Sequence, residues 1–445
     1  MQSRLLQIAS VLAAVFVSLV QGPPIPAEGE TNVWPVRLLI NILGYATLVV
    51  PAALLIKYLK KINYKEKGSG ICFPVVKTCV FGDEVGEHKT TDQPAPLNIT
   101  TREPSTFVSG IKLAFCAVGL QVSYLTWGVI QERIMTIEYG KTDDTPGEKF
   151  GNSQFLVFVN RSLAFIVAGL YITFTRQPRH GCPLHKFSYS SISNIMSSWF
   201  QYEALKYVSF PTQVLGKACK VIPVMLMGKV VSGNTYEFYE WATAGMLSVG
   251  ISLFLLSQGQ SGKHAAHDAI DITNDAAGVV VLSGFILMVG YMAFDSFTSN
   301  WQGQLFKTYK MSSFQMMFGV NLFSCLFTSV SLLEQGGFFQ AFAFMASHLD
   351  FAMHSVILSI CSAVGQLFIF YTISEFGPVI FTIIMTTRQA LAILLSCLIY
   401  GHPVSAIGGL GILVVFFSLF LRIYARTRKT ALAKQQKPIP SPNKV

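Results

Sequence analysis

Ten apolar runs of about 20 residues each follow one another with short polar connections, at 109–130, 153–175, 188–208, 211–231, 238–257, 279–299, 311–333, 353–375, 377–399 and 404–424. A helix of that length matches the hydrocarbon thickness of a bilayer. Inside a bilayer every backbone N–H and C=O must be satisfied within the chain, which leaves helices or closed barrels. Barrel strands are alternating segments of about 10 residues, whereas these runs are continuously apolar. The chain therefore reads as an all-α polytopic membrane protein. Composition agrees, with 51% hydrophobic and only 13% charged residues, against about a quarter charged in ordinary soluble domains.

Two more apolar stretches precede the ten. Residues 1–22 hold Arg4 and then a short apolar run ending in a proline-bearing polar segment, and read as a signal-like segment. Residues 34–56 suit one extra N-terminal transmembrane helix. Lys57, Lys60, Lys61, Lys65 and Lys67 follow it at once, and Glu28 and Glu30 precede it. Basic residues gather on the cytoplasmic side of spans, so the N-terminus is expected in the lumen and residues 57–108, rich in Gly, Pro and Thr, form a cytosolic linker. Counting onward puts Arg176, Arg179, Lys186, Lys307, Lys310 and the basic tail 425–445 in the cytosol. The lumenal loop 258–278 carries Asp268, Asp271 and Asp275. On this topology the sequon at Asn98 is cytosolic and carries no glycan. The net charge of +10 belongs to loops beside a lipid bilayer and calls for no nucleic acid.

The fourth run contains Lys217 and Lys220. An ammonium in hydrocarbon costs roughly 2.5–3.5 kcal/mol, so both must face a wet cavity or an anionic partner. Their spacing of three puts them on one face of a helix. The ninth run carries Arg388. Phe210-Pro211 opens the fourth run and Phe376-Gly377-Pro378 the ninth, and aligning Lys220 on Arg388 also aligns Gly233 on Gly401. Five helices (109–257) followed by five (279–424) return the chain with opposite orientation, which reads as two inverted five-helix repeats with a site near the midplane. Shared packing needs would also produce a matching pair of helices.

Other polar groups have blander readings beside the functional one. Arg161 in the second run is a further candidate cation, or a packing residue paired with an acid such as Asp295. Lys217 has Glu203 as an alternative partner. Asn321 and Gln366 suit interhelical hydrogen bonds. Tyr202 and Tyr291 are candidates to stack on an aromatic ligand, although aromatics at helical spacing usually pack. Glu132 closes the first run, and His348 and His402 read as solvated loop residues. Cys116, Cys219, Cys325, Cys361 and Cys397 fall singly inside apolar runs, and the eight cysteines form no metal-ligand pattern. Neither a GxxxxGK[ST] phosphate loop nor an HExxH helix occurs. A membrane-embedded transferase would need Glu132, Asp295 or His402 to converge, and the intramembrane charges are mainly basic. A non-transporting scaffold would have no use for duplicated cations.

The segment 124–132 (YLTWGVIQE), the Lys217/Lys220/Pro223 helix and residues 381–389 (FTIIMTTRQ) resemble the nucleotide-sugar transporter family of the drug/metabolite transporter superfamily. Residues 290–302 (GYMAFDSFTSNWQ), with 310–313 (KMSS) and 315–321 (QMMFGVN), resemble its members that carry activated sulfate, 3′-phosphoadenosine 5′-phosphosulfate (PAPS). The resemblance runs from the N-terminal apolar run to the tail and departs in the signal region, at 83–106, at 263–277 and in the tail. It implies a Golgi membrane antiporter, not an enzyme, that moves PAPS from cytosol to lumen in exchange for adenosine 3′,5′-bisphosphate or AMP. Lumenal sulfotransferases would be partners through the shared substrate pool, and the C-terminus would be cytosolic. PAPS carries roughly −4 if each phosphate contributes up to about −2, which Lys217, Lys220, Arg388 and Arg161 would meet. A UDP-sugar, with about −2, is the alternative substrate and would need fewer cations. An empty cavity holding three cations is costly in low dielectric, so return is expected to be easier with a nucleotide bound. Gly377 and the Gly408-Gly409-Leu410-Gly411 run leave a homo-oligomer open.

Overall fold

The computed structural model describes residues 34–67, 73–82, 106–140, 147–150, 152–178, 181–204, 207, 217, 219–261, 274–334, 337–399 and 406–435. The signal-like segment 1–22, the Asn98 sequon, Asp268, Asp271, Gly401 and His402 lie outside the described residues.

Three helices come first: α1 (Trp34–Lys61), α2 (Tyr64–Lys67) and α3 (Phe73–Val80). The linker is thus partly helical, and Leu59, Tyr64 and Val80 bury one another in a small cluster of their own. Next come α4 (Thr106–Thr136), a two-stranded antiparallel hairpin of β1 (Glu138–Tyr139) and β2 (Glu148–Lys149), then α5 (Ser153–Phe174) and α6 (His185–Ala204). They are followed by α7 (Val221–Ser232), α8 (Phe238–Ser261), α9 (Asn274–Tyr309), α10 (Ser313–Glu334), α11 (Gly337–Ser347), α12 (Leu349–Phe376), α13 (Pro378–Ile399) and α14 (Ala406–Gln435). Among the described residues, Phe107–Gln131, Gln154–Phe174, Leu282–Tyr309, Ser313–Leu333 and Leu349–Phe376 are long and apolar enough to cross a membrane. Val221–Ser232, Gly337–Ser347, Pro378–Arg388 and Ala406–Arg422 are shorter apolar helices.

Local chemistry sets the helix ends. Asn152 caps α5 by accepting the Phe155 N–H at 3.1 Å. The α12–α13 junction uses Gly377 at φ +85°, whose N–H bonds the Ile373 carbonyl, and Pro378 then begins the next helix. Glycine after one helix and proline at the start of the next is the arrangement their backbones favour. Helix α7 covers the second half of the expected fourth run, and residues 211–216 and 218 of that run lie outside the described residues. Pro223 has no N–H to give and its ring crowds the carbonyl four residues before it, so it sits best in a first turn. Lys217 and Lys220 precede α7, with Lys220 N–H on the Lys217 carbonyl at 3.2 Å.

The interior holds apolar clusters and buried polar groups together, beneath an apolar exterior. Phe174, Val230 and Phe238 are more than four-fifths exposed, while Ser190, Asn300, Asn321 and Gln366 are buried. That distribution suits a lipid exterior and a polar interior. The interior is knitted by pairs of helices: α4 packs on α12, α6 on α9, α5 on both α10 and α12, α6 on α10, α7 on α9 and α13, and α8 on α14. Serine-rich α6 lies against α9 through Ser193 Oγ, which donates to the Phe294 carbonyl (2.6 Å), and Gln302 Nε2, which donates to Ser190 Oγ (2.8 Å). Ser191 Oγ reaches the Val320 carbonyl of α10 at 2.7 Å. Close approach needs small residues there: a Cβ on Gly319 would stand 2.6 Å from the Phe187 ring.

The sequence reading did not anticipate α11. It and the β1–β2 hairpin cover one end of the bundle, where Tyr139, Phe150, Phe344 and Phe351 interlock with ring centroids 4.4–6.2 Å apart. His348, expected to be solvated, is half-buried and stacks on Phe344 at 4.3 Å at the head of α12.

Candidate functional site

Lys220 is the N-cap of α7, where the helix dipole disfavours a cation and favours an anion. Its ammonium is held by the Asp295 carboxylate of α9. Asp295 lies one turn beyond Tyr291, so the two share a face of α9. Lys217 Nζ stands 5.7 Å from the centroid of the Tyr291 ring and feels the charges of Lys220 and Asp295. The acid that the sequence reading offered to Arg161 therefore belongs to Lys220.

From the second half of the chain, α13 brings Arg388, whose guanidinium carbon lies 5.2 Å from the Tyr124 ring centroid on α4. Trp127, three residues on from Tyr124, meets it edge to face at 6.4 Å. Arg161 of α5 points a guanidinium nitrogen at Asn321 Oδ1 at 3.5 Å, and Asn321 Nδ2 donates to Gln366 Oε1 at 2.8 Å. The interhelical bonding expected of Asn321 and Gln366 is thus formed, and it carries Arg161 at its end. The Tyr124 hydroxyl is within electrostatic range of Arg161, Arg388, Lys220 and Asp295. Four helices and the turn before α7 thus bring Arg161, Lys220 and Arg388 together, with Lys217 beside them. The side chain of Tyr202, like that of Glu132, lies outside the described residues.

Several buried polar atoms on the α4 and α13 faces have no hydrogen-bond partner among the described residues: Gln121 Oε1, Trp127 Nε1, Thr387 Oγ1 and Arg388 Nε. An orphaned buried donor or acceptor costs about 1–3 kcal/mol, so water or a ligand is expected to complete such atoms; Ser296 Oγ, Asn300 Oδ1 and Ser355 Oγ share that state on other helices. Gln121, Tyr124 and Trp127 recur every three residues on one face of α4, a spacing the sequence shows but which packing alone would also produce. Fixed positive charge beside aromatic faces equips the cluster to hold a polyanion that carries a ring.

A cavity of about 470 Å³ opens elsewhere, at the Gly377–Pro378 junction, bordered by Tyr236, Glu240, Lys307 and Arg422. None of the clustered cations lines it. Outside the helices, burial pushes the Cys182 thiol up to about 12, which keeps it protonated and unreactive.

The pattern that defines the UAA transporter family matches residues 112–426, from the first turns of α4 into α14. Over 438 residues, 98% of both chains, the sequence is 55% identical to adenosine 3′-phospho 5′-phosphosulfate transporter 1 of Homo sapiens. It is 47% identical over 418 residues to the protein of that name from Drosophila melanogaster, covering 92% of this chain and 87% of the relative. It is 34% identical over 343 residues to UDP-galactose/UDP-glucose transporter 5B of Arabidopsis thaliana, covering 76% of this chain and 96% of the relative.

Proposed function

We propose that this chain, which belongs to the UAA transporter family, is an antiporter carrying PAPS from the cytosol into the Golgi lumen. The observation that carries the reading is the gathering of Arg161, Lys217, Lys220 and Arg388 around two tyrosine rings, in a chain 55% identical to a relative named for that substrate. Roughly four negative charges on PAPS match four cations. Arg388 would grip phosphate or sulfate oxygens with its planar fork while the lysines act as point charges, and Tyr124 or Tyr291 would offer a face to the adenine.

The packing supports two inverted repeats of five helices, α4 to α8 and α9 to α14 without α11. The contact of α4 with α12 has its counterpart in α9 with α6, α5 with α12 in α10 with α6, and α7 with α9 in α13 with α4. The pairs α5–α10, α7–α13 and α8–α14 map onto themselves. Alternating access then follows if the halves rock about the basic cluster. With the basic loops cytosolic, the cavity at Gly377 is the cytosolic vestibule and the aromatic cap seals part of the lumenal end. The C-terminus is cytosolic on the same rule, and lumenal sulfotransferases share only the substrate pool.

With Asp295 matching Lys220, the charge left to drive exchange is that of the other three clustered cations. Lys217, Arg161 and Arg388 still favour a return loaded with adenosine 3′,5′-bisphosphate or AMP. The test is uptake of labelled PAPS and of labelled UDP-galactose into proteoliposomes preloaded with adenosine 3′,5′-bisphosphate. Saturable PAPS uptake with UDP-galactose inert supports the reading. Transport of UDP-galactose alone replaces PAPS by a UDP-sugar on the same site.

A further inference from the structure

We propose that Asp295 is a built-in counter-ion that competes with the substrate for Lys220: it occupies the ammonium in the empty carrier and yields it to an arriving phosphate or sulfate. The proposal rests on the nucleotide reading above and adds the residue that sets how tightly the nucleotide is held and how readily the empty carrier returns.

Of the four clustered cations, Lys220 is the one whose direct partner among the described residues is a carboxylate. Arg388 has a tyrosine ring, Arg161 an asparagine oxygen and Lys217 a tyrosine ring. Lys220 is also the cation standing at a helix N-terminus, the position that most needs negative charge. The pair is not sealed, since the Lys220 and Asp295 side chains keep 14% and 27% of their surface accessible. The exposed part of the ammonium is where an arriving anion would make contact and displace one carboxylate oxygen. An internal anion lowers the cost of the unloaded state in low dielectric. By the same amount it taxes binding, because only the fraction of carriers with Lys220 released is ready for substrate.

The experiment compares labelled PAPS uptake into empty vesicles and into vesicles preloaded with adenosine 3′,5′-bisphosphate, for wild type and Asp295→Asn. Removing the competitor is expected to lower KM by about 3–10-fold. The ratio of uptake into empty vesicles to uptake into preloaded ones should also fall, because the unloaded carrier now returns with Lys220 bare. An unchanged or raised KM together with an unchanged ratio overturns the proposal. Should Asp295→Asn not fold, Lys220→Gln is compared with Lys220→Gln/Asp295→Asn by the nucleotide-induced shift in melting temperature. The second substitution is expected to recover several-fold of the affinity lost to the first, by removing an unpaired carboxylate from an anion site, and no recovery overturns the proposal. If wild type carries UDP-galactose and not PAPS, the substrate reading falls alone, and the same comparisons made with UDP-galactose decide the role of Asp295.

Discussion

The contact of α6 with α9 and the contact of α4 with α13 are both made of polar side chains buried between helices, and they end in opposite states. Along α6, Ser193 donates to Phe294 at 2.6 Å, Ser190 accepts from Gln302 at 2.8 Å, and Trp301 donates to the Lys186 carbonyl at 2.9 Å. Where α13 meets α4, the Arg388 guanidinium rests on the Tyr124 ring and Arg388 Nε has no hydrogen-bond partner among the described residues, and the same holds for Trp127 Nε1 on α4 and Thr387 Oγ1 on α13. The bonds named in the first contact need no ligand, while Ser296 Oγ and Asn300 Oδ1 elsewhere on α9 are without a partner among the described residues. In the second, buried polar atoms lack a partner within the fold, a state that costs free energy unless water or a ligand completes it. The difference separates scaffold from site more sharply than charge alone does.

The largest effect should come from Lys220→Ala. It truncates one partner of a desolvated pair and leaves Asp295 facing the incoming anion, so initial PAPS uptake in proteoliposomes should fall by about 100-fold or more, in line with the 2–5 kcal/mol such truncations cost. Tyr124→Leu removes the ring under Arg388. With a cation–π contact worth about 0.5–2 kcal/mol, KM should rise by roughly 3–30-fold, while Tyr124→Phe keeps the ring and should lose less. On the scaffold side the readout changes from transport to stability. Gly319→Ala drives a Cβ to 2.6 Å from the Phe187 ring, which should destabilise the fold by about 1–3 kcal/mol and lower the melting temperature with KM unmoved. The smallest effect is expected at Cys182, next to the head of α6. Its thiol is 1% exposed and held at about 12, so it stays protonated from pH 7 to 9 and should resist alkylation by maleimide until the protein is unfolded.

The helices were legible because a bilayer leaves a run such as 353–375 few alternatives, and α12 covers it. The cations were legible for a related reason: Lys220 and Arg388 stand in apolar surroundings where a charge is expensive unless used. What stayed hidden depends on partners far away in sequence. Tyr124 sits at ordinary helical spacing and gains meaning only when Arg388 arrives from 264 positions on. Asp295 is a neighbour open to Arg161 in the sequence, and only the packing of α7 on α9 gives it to Lys220. Helix α11 was missed because its aromatic segment 337–347 is short and depends on packing against Phe158 and the Tyr139 cap.

The contrast between the two contacts is tested most directly by measuring PAPS uptake for Arg388→Ala beside Ser193→Ala in the same proteoliposome preparation, with melting temperatures for both. The account predicts that Arg388→Ala abolishes saturable uptake in folded protein. Ser193→Ala, which deletes an interhelical bond worth about 0.6 kcal/mol, should transport at the wild-type KM with a slightly lower melting temperature. Equal losses of transport in the two variants, or uptake that survives Arg388→Ala, would contradict the account.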